Sequence, residues 1–330
     1  MLDMIAEKLR RAPVASDEPE AAVAESPELD PVEEAGWKAR FRAWWEGEDY
    51  EPSAEDEVPH GVRAPDAAQP VESWGASRRA IVQTLWGDGF VTPGEAEHVM
   101  DLIKPLGLNA KQSAVDIGCG LGGSTRTLAE QTGAWATGLE ADADLVSEGN
   151  EVSVMAGLGK KAPVTLFKPP TIDLRDRSMD VMISKEAFYT IEDKDTLLDE
   201  VYRVLKSDGQ LIFTDFVLPG AGTQSSALEA WYAAETPNPV PWSEDQTVEK
   251  LTGLGLEVRL AEDVTATLRG LVMRGWKRLM EILSGGDIDE SLLPAVVAEV
   301  ELWARRMALF DSHEMRCYRF YATKHEQVYR

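Results

Sequence analysis

The stretch VDIGCGLGGST, residues 115–125, decides how this chain is read. Apolar residues lead into it, an acid stands at Asp116, and glycines follow at Gly118, Gly120, Gly122 and Gly123. Glycine adopts left-handed backbone at no steric cost and lets another group come close to the main chain. The helix that follows such a turn offers N–H groups without partners inside the helix. The pattern therefore predicts a strand, a turn built around a ligand, and a helix.

Working outward, short apolar runs alternate with helical patterns. Strands are expected at SAVDIGC, WATGLEA, PVTLFK, DVMISKE and QLIFTDFV, with helices at STRTLAEQ, ADLVSEGNEVSVMAG and DKDTLLDEVYRVLK between them. Such alternation means a mostly parallel sheet covered on both faces, with ligands at the carboxyl ends of its strands. Upstream, SRRAIVQTLWGDGF and TPGEAEHVMDLIKPLGL read as helices, the second with Thr92 as N-cap and Pro93 at its first position. Beyond Pro219 lie a Trp- and Pro-rich excursion over 221–255, a strand LEVRLAED, helices over 264–283 and 291–310, and a closing strand CYRFYATK.

The 330 residues, 44% apolar, suffice for a sizeable core, and the formal net charge is −25. That charge argues against a nucleic-acid backbone or an anionic membrane face as partner. No apolar run approaches the length of a membrane span, and MLDMIAEKLRR lacks the layout of a signal peptide, so a cytoplasmic protein is expected. Two cysteines, Cys119 and Cys317, and four scattered histidines make no metal set.

Residues 1–70 form a segment apart, expected to be an acidic and mostly disordered arm, with 18 acids, 7 bases and 8 of the 18 prolines. Two short amphipathic pieces interrupt it, one carrying Leu2, Ile5 and Leu9, the other Trp37, Phe41, Trp44 and Trp45. The second reads either as a helix packed on its own domain or as a docking helix for a protein partner through 37–45. Residues 71–330 are then one domain, with 221–312 supplying insertions that cap a substrate.

Glu140 closes the second strand, where an acid accepts from both hydroxyls of a ribose. With Asp116 and the glycines, that fits two cofactors, a nicotinamide dinucleotide and S-adenosyl-L-methionine. Four stretches in order separate them: VDIGCGLGG, GLEADADL, LRDRSMDVMISKEAFYTIEDK and YRVLKSDGQLIFTDF resemble class I S-adenosylmethionine-dependent methyltransferases, over about 80–324. The resemblance implies a Rossmann-like, seven-stranded α/β sheet, mostly parallel with its last strand antiparallel, under a helical lid. It places Asp116, Gly118, Gly120, Gly122, Gly123, Glu140, Ala141 and Lys185 around the cofactor. It puts Lys168 where many members carry an acid for the adenine amino group; lysine only donates, so a backbone carbonyl or Asp173 is expected to take over.

Within that class the chain resembles phosphoethanolamine N-methyltransferases and the sarcosine and dimethylglycine methyltransferases. LWGDGFVTPGEAEHV resembles their lid, and FYATK their C-terminus. Their catalytic Tyr and His fall on Phe90 and Thr190, and their phosphate-contacting Tyr and Lys on Phe216 and Tyr321. The carboxylate facing the substrate nitrogen is matched by Glu186. The implied phosphate grip is thus dismantled. Phe90, Phe188, Phe216 and Trp231, with Tyr232, read either as an apolar pocket boxing a cation or as core aromatics.

A small-molecule acceptor follows, an amine or another already nucleophilic nitrogen or sulfur, methylated mainly by proximity and orientation. Glu186, Tyr189 and Thr190 are the catalytic candidates, Glu186 or Tyr189 serving where a base is needed. Two other readings stand beside this one: a catalytically silent cofactor-binding scaffold that docks a partner through its arm, and a nicotinamide-dependent oxidoreductase.

Overall fold

The computed structural model describes residues 74–220, 225–285 and 288–325; the arm over 1–70 and the helix expected at 37–45 lie outside them. The elements, in chain order, are α1 (Ala76–Trp86), α2 (Ala96–Ile103), β1 (Ser113–Ile117), α3 (Gly123–Thr132), β2 (Trp135–Glu140), α4 (Ala143–Met155), β3 (Val164–Leu166) and β4 (Met179–Lys185). Then come α5 (Lys194–Val204), β5 (Leu205–Val217), α6 (Ser226–Ala234), α7 (Glu244–Gly253), β6 (Leu256–Asp263), α8 (Thr265–Gly285), α9 (Leu293–Asp311) and β7 (Arg316–Lys324).

Seven strands form one sheet in the order β3-β2-β1-β4-β5-β7-β6. The first five pair in parallel, and β7 runs antiparallel between β5 and β6. The central strands are continuous apolar runs because helices cover both faces. On one face Val115 and Ile117 of β1, Met182 of β4 and Leu211 of β5 pack against Leu197, Leu198 and Val201 of α5. The far end is stapled by Phe213 of β5 stacked on Phe320 of β7, ring centroids 4.9 Å apart. Fully burying each such side chain contributes about 1.5–3 kcal/mol.

Side chains cap the helices that approach the ligand side of the sheet. Asp142 accepts from the Asp144 and Leu145 amides at the start of α4, and Asp193 from Thr196 at the start of α5. At α7, Ser243 and Gln246 form a reciprocal capping box. The helix expected to begin at Pro93 instead starts at Ala96, and Thr92 caps nothing there. Gly94 takes a φ of 93°, and the buried Lys185 ammonium donates to the Pro93 and Gly94 carbonyls. This arrangement turns the segment away from the helix.

Within 221–312 the strand expected at LEVRLAED forms as β6 and joins the sheet edge, with helices on either side of it. These helices pack on one another and on α1. Trp86 of α1 meets Trp303 of α9 edge-on at 5.2 Å, while Gly275 lets α8 approach Trp86 closely.

Candidate active site

The carboxyl ends of β1, β2 and β4 meet around a cavity of about 360 Å³. β1 runs out at Gly118, whose φ is 71°, followed by Gly120 at 57° and Gly122 at 77°. A Cβ at Gly118 would stand 2.3 Å from the Ala187 Cβ, and one at Gly120 would stand 2.4 Å from a Val91 methyl. Both the dihedrals and the space demand glycine.

The sequence suggests an open amide cradle, but most of these amides already have partners. The Gly118 and Cys119 amides donate to the Leu139 carbonyl, Gly122 to Cys119, and Gly123 to Gly89. Gly120 donates to Glu140 Oε2 at 2.8 Å. The correction has a plain cause: a buried turn must satisfy its own donors. What the turn presents to a ligand is therefore its shape and the Glu140 carboxylate it orients.

Glu140 is buried, its Oε1 accepting from the Ala141 and Asp142 amides. Burial raises its pKa, and these backbone bonds oppose the rise. Each oxygen has two lone pairs, so the carboxylate keeps acceptor capacity for a diol. Asp116 accepts from Thr125 Oγ1 at 2.8 Å. Burial pushes its carboxyl up to about 6 against that hydrogen bond. Gly118, Gly120, Glu140, Ala141 and Lys185 line the cavity. Asp116, Gly122 and Gly123 stand behind the wall, while Lys168 and Asp173 are solvent-exposed and away from it. Of the two adenine partners expected there, Asp173 does not reach the cavity, while the backbone that lines it beside Lys168 is that of Phe167 and Pro169.

On the other side of the cavity, β4 ends in Lys185 and Glu186. Glu186 has a φ of 45° and is 6% exposed. Its Oε1 accepts from Thr214 Oγ1 at 2.6 Å, while Oε2 is buried with no partner. The turn Phe188–Thr190 follows, pinned by the Tyr189 amide donating to Asp215 at 3.0 Å. Burial lifts the Asp215 carboxyl to about 7 and lowers the Lys194 ammonium to about 8. Glu186, Tyr189 and Thr190 all line the cavity. Thr190 Oγ1 donates to the Ala187 carbonyl and Tyr189 Oη accepts from Arg306. Burial drives the Tyr189 hydroxyl upward and favours its protonated form, which speaks against its serving as a base.

The aromatic box is also corrected. Phe188, Phe216 and Trp231 are buried and none lines the cavity. Phe188 packs on Phe213 at 4.9 Å, Phe216 on Tyr189 at 4.8 Å, and Trp231 donates its indole N–H to Glu235. Phe90 is buried beside the glycine turn. Tyr232 lies against Trp231. These rings sit where the sheet meets its covering helices, so burial draws them into the core. The aromatic residues that reach the cavity are Trp74, Phe167 and Tyr189. Sequence reasoning also missed Arg78, Glu235, Glu299 and Arg306 in its wall. They come from α1, the α6 terminus and α9, and no local motif marks them.

A seven-stranded sheet of this order, with a glycine turn after β1 and an acid after β2, defines the S-adenosylmethionine-dependent methyltransferase fold. Comparison with known proteins agrees: residues 115–213 match the methyltransferase domain family. Phosphoethanolamine N-methyltransferase 1 of Zea mays is 27% identical over 134 residues, covering 41% of this chain and 26% of that protein. The chain thus matches only about a quarter of that relative's length. Phosphoethanolamine N-methyltransferase 2 of Haemonchus contortus, solved with S-adenosyl-L-methionine, superposes with a TM-score of 0.66 at 20% identity, over 75% of this chain and 57% of that one. A putative sarcosine dimethylglycine methyltransferase from Galdieria sulphuraria gives 0.63 at 18%, over 76% and 98%. Residues 115–213 are thus similar to a methyltransferase domain, and the chain shares the fold of these structures.

Proposed function

We propose that this protein transfers a methyl group from S-adenosyl-L-methionine to a small amine. One observation carries the reading: Glu186 Oε2, buried and unpartnered, shares a cavity with the glycine turn and Glu140. The residues fit the cofactor. Gly118 and Gly120 bring bare backbone to the cavity wall, and Glu140 retains lone pairs for ribose hydroxyls. Asp116 and Glu140 also place negative charge beside a cationic ligand.

Bound there, the cofactor supplies an electrophilic methyl on a sulfonium. The chain's task is to hold an acceptor nitrogen in line with that carbon and keep water out, which is worth up to about 7–11 kcal/mol of the barrier. The nitrogen gains a positive charge as it takes the methyl, and the Glu186 carboxylate stabilises that charge. A tertiary amine has no proton to lose. For a primary or secondary amine, Glu186 is the acceptor for the released proton, since Tyr189 retains its own and the Thr190 hydroxyl is committed to Ala187.

The reading predicts that calorimetry registers binding of S-adenosyl-L-methionine and S-adenosylhomocysteine, and that radiolabelled methyl passes to members of an amine panel. No heat with either ligand would end the proposal. Tight binding without transfer to any amine would favour the silent scaffold.

A further inference from the structure

The wall of the cavity opposite the glycine turn is built from groups distant in sequence. Glu235, beyond α6, holds Arg306 of α9 with two hydrogen bonds, Arg306 Nε to Oε1 at 2.7 Å and Nη2 to Oε2 at 2.8 Å. The same Oε1 takes the Trp231 indole N–H at 2.6 Å. Beside them Arg78 Nε donates to Glu299 Oε2 at 3.1 Å, and Trp303 donates to Glu299 Oε1. Both cations in this wall are matched by carboxylates, leaving no surplus positive charge.

Against this neutral wall stands the Tyr189 hydroxyl. Its oxygen accepts from Arg306 Nη2 at 3.1 Å, which fixes the acceptor side and polarises the O–H bond. Burial keeps the proton in place. That hydrogen and the Arg306 Nη1 group have no hydrogen-bond partner among the described residues, and both residues line the cavity. A donor directed into a ligand cavity calls for an acceptor on the ligand.

Resting on the methyltransferase reading above, we infer that the amine acceptor carries an uncharged oxygen, of carbonyl or hydroxyl type, hydrogen-bonded by Tyr189 and Arg306. The amine end faces Glu186 and the oxygen faces the Glu235–Arg306 pair. At this wall a phosphate dianion finds no unpaired guanidinium, because Glu235 and Glu299 pair with Arg306 and Arg78, while Lys185, which also lines the cavity, directs its ammonium to the Pro93 and Gly94 carbonyls. The wall therefore selects oxygenated amines over their deoxy analogues and rejects phosphorylated ones. Tyr189 thus acts in specificity.

The test uses the full chain saturated with S-adenosylhomocysteine and three tertiary amines: dimethylaminoacetone, N,N-dimethylpropylamine and O-phospho-N,N-dimethylethanolamine. Calorimetry is expected to show the ketone bound about tenfold tighter than either of the others. Tyr189→Phe, which leaves the ion pair and the Arg306 Nη1 donor intact, is expected to lower the ketone-to-deoxy ratio several-fold with unchanged S-adenosylhomocysteine affinity. Glu235→Gln frees the Arg306 charge and moves preference toward the phosphorylated amine; should it fail to fold, Tyr189→Phe decides alone. Equal binding of ketone and deoxy amine by the natural chain, a ratio unmoved in Tyr189→Phe, or tightest binding of the phosphorylated amine would overturn the inference. Radiolabelled transfer separates the two claims. Methylation of ketone and deoxy amine alike defeats the inference alone, and selective binding without methylation defeats the methyltransferase reading alone. Binding of none of the three defeats the inference and leaves the methyltransferase reading to its own test with the cofactor and the amine panel.

Discussion

Asp116 holds a carboxylate where charge is most costly. A folded value near 6 against an ordinary 3.8 corresponds to roughly 3 kcal/mol that ionisation takes from stability above pH 6. The sign follows from a raised carboxylic pKa: the penalty is full above 6, shrinks as pH falls through 6, and vanishes below 3.8. Asp116→Asn keeps the acceptor for Thr125 and removes the penalty. Chemical denaturation should find it more stable than the natural chain at pH 8 by up to about 3 kcal/mol, with no gain below pH 3.8. A gain independent of pH would contradict the burial argument. Glu186 carries its charge toward the cavity instead. Glu186→Gln keeps the shape and loses the charge, which should lower kcat/KM for amines by about 1.5–3 kcal/mol in transition-state terms while sparing cofactor affinity. Steady-state kinetics with unchanged kcat/KM would remove Glu186 from the mechanism.

Among the elements, the turn after β1 and the α1–α8 crossing are tightly packed. Gly120 has both a left-handed backbone and a neighbouring Val91 methyl 2.4 Å from any Cβ. Gly120→Val should cost about 1–3 kcal/mol of backbone strain and abolish cofactor binding, with the far-ultraviolet dichroism of the fold retained. Retained micromolar binding in calorimetry would move the site elsewhere. Gly275, within α8, has Trp86 ring atoms 2.3 Å from where a Cβ would be. A helical Gly→Ala change ordinarily stabilises, because alanine is the better helix former. Here overpacking wins, and Gly275→Ala should lose about 1–3 kcal/mol in urea denaturation. A gain in stability would mean that α8 slides freely over α1. Arg78 ties α1 to Glu299 of α9, while Arg79 and Gln83 tie it to Glu148 of α4, so α1 bridges cap and sheet over the cavity.

For the whole molecule, the described lining of the cavity runs from Trp74 to Arg306 and already joins the glycine turn, Glu140 and Glu186. Deleting residues 1–35 should therefore leave S-adenosylhomocysteine affinity unchanged; a large loss in calorimetry would place the arm over the cavity. Among the described residues no helix is long and apolar enough to cross a membrane. Much of the fold was legible in the chain itself. The strand LEVRLAED forms as expected, and the alternation of apolar runs with helical patterns sets the parallel core, because period and length act locally. The glycine turn, Glu140 and Glu186 were legible for the same reason, each sitting at the end of a strand. The Thr92 cap was misread because the decisive partner, Lys185, lies far along the chain. Phe188, Phe216 and Trp231 were open to two readings, and helix packing placed them in the core. Glu235 and Arg306, 71 residues apart, meet only when α9 folds over the sheet. Sequence by itself determined the sheet and the cofactor end of the cavity, through contacts between near neighbours. Tertiary structure alone decided the acceptor end, because its charges are paired across elements that no local pattern links.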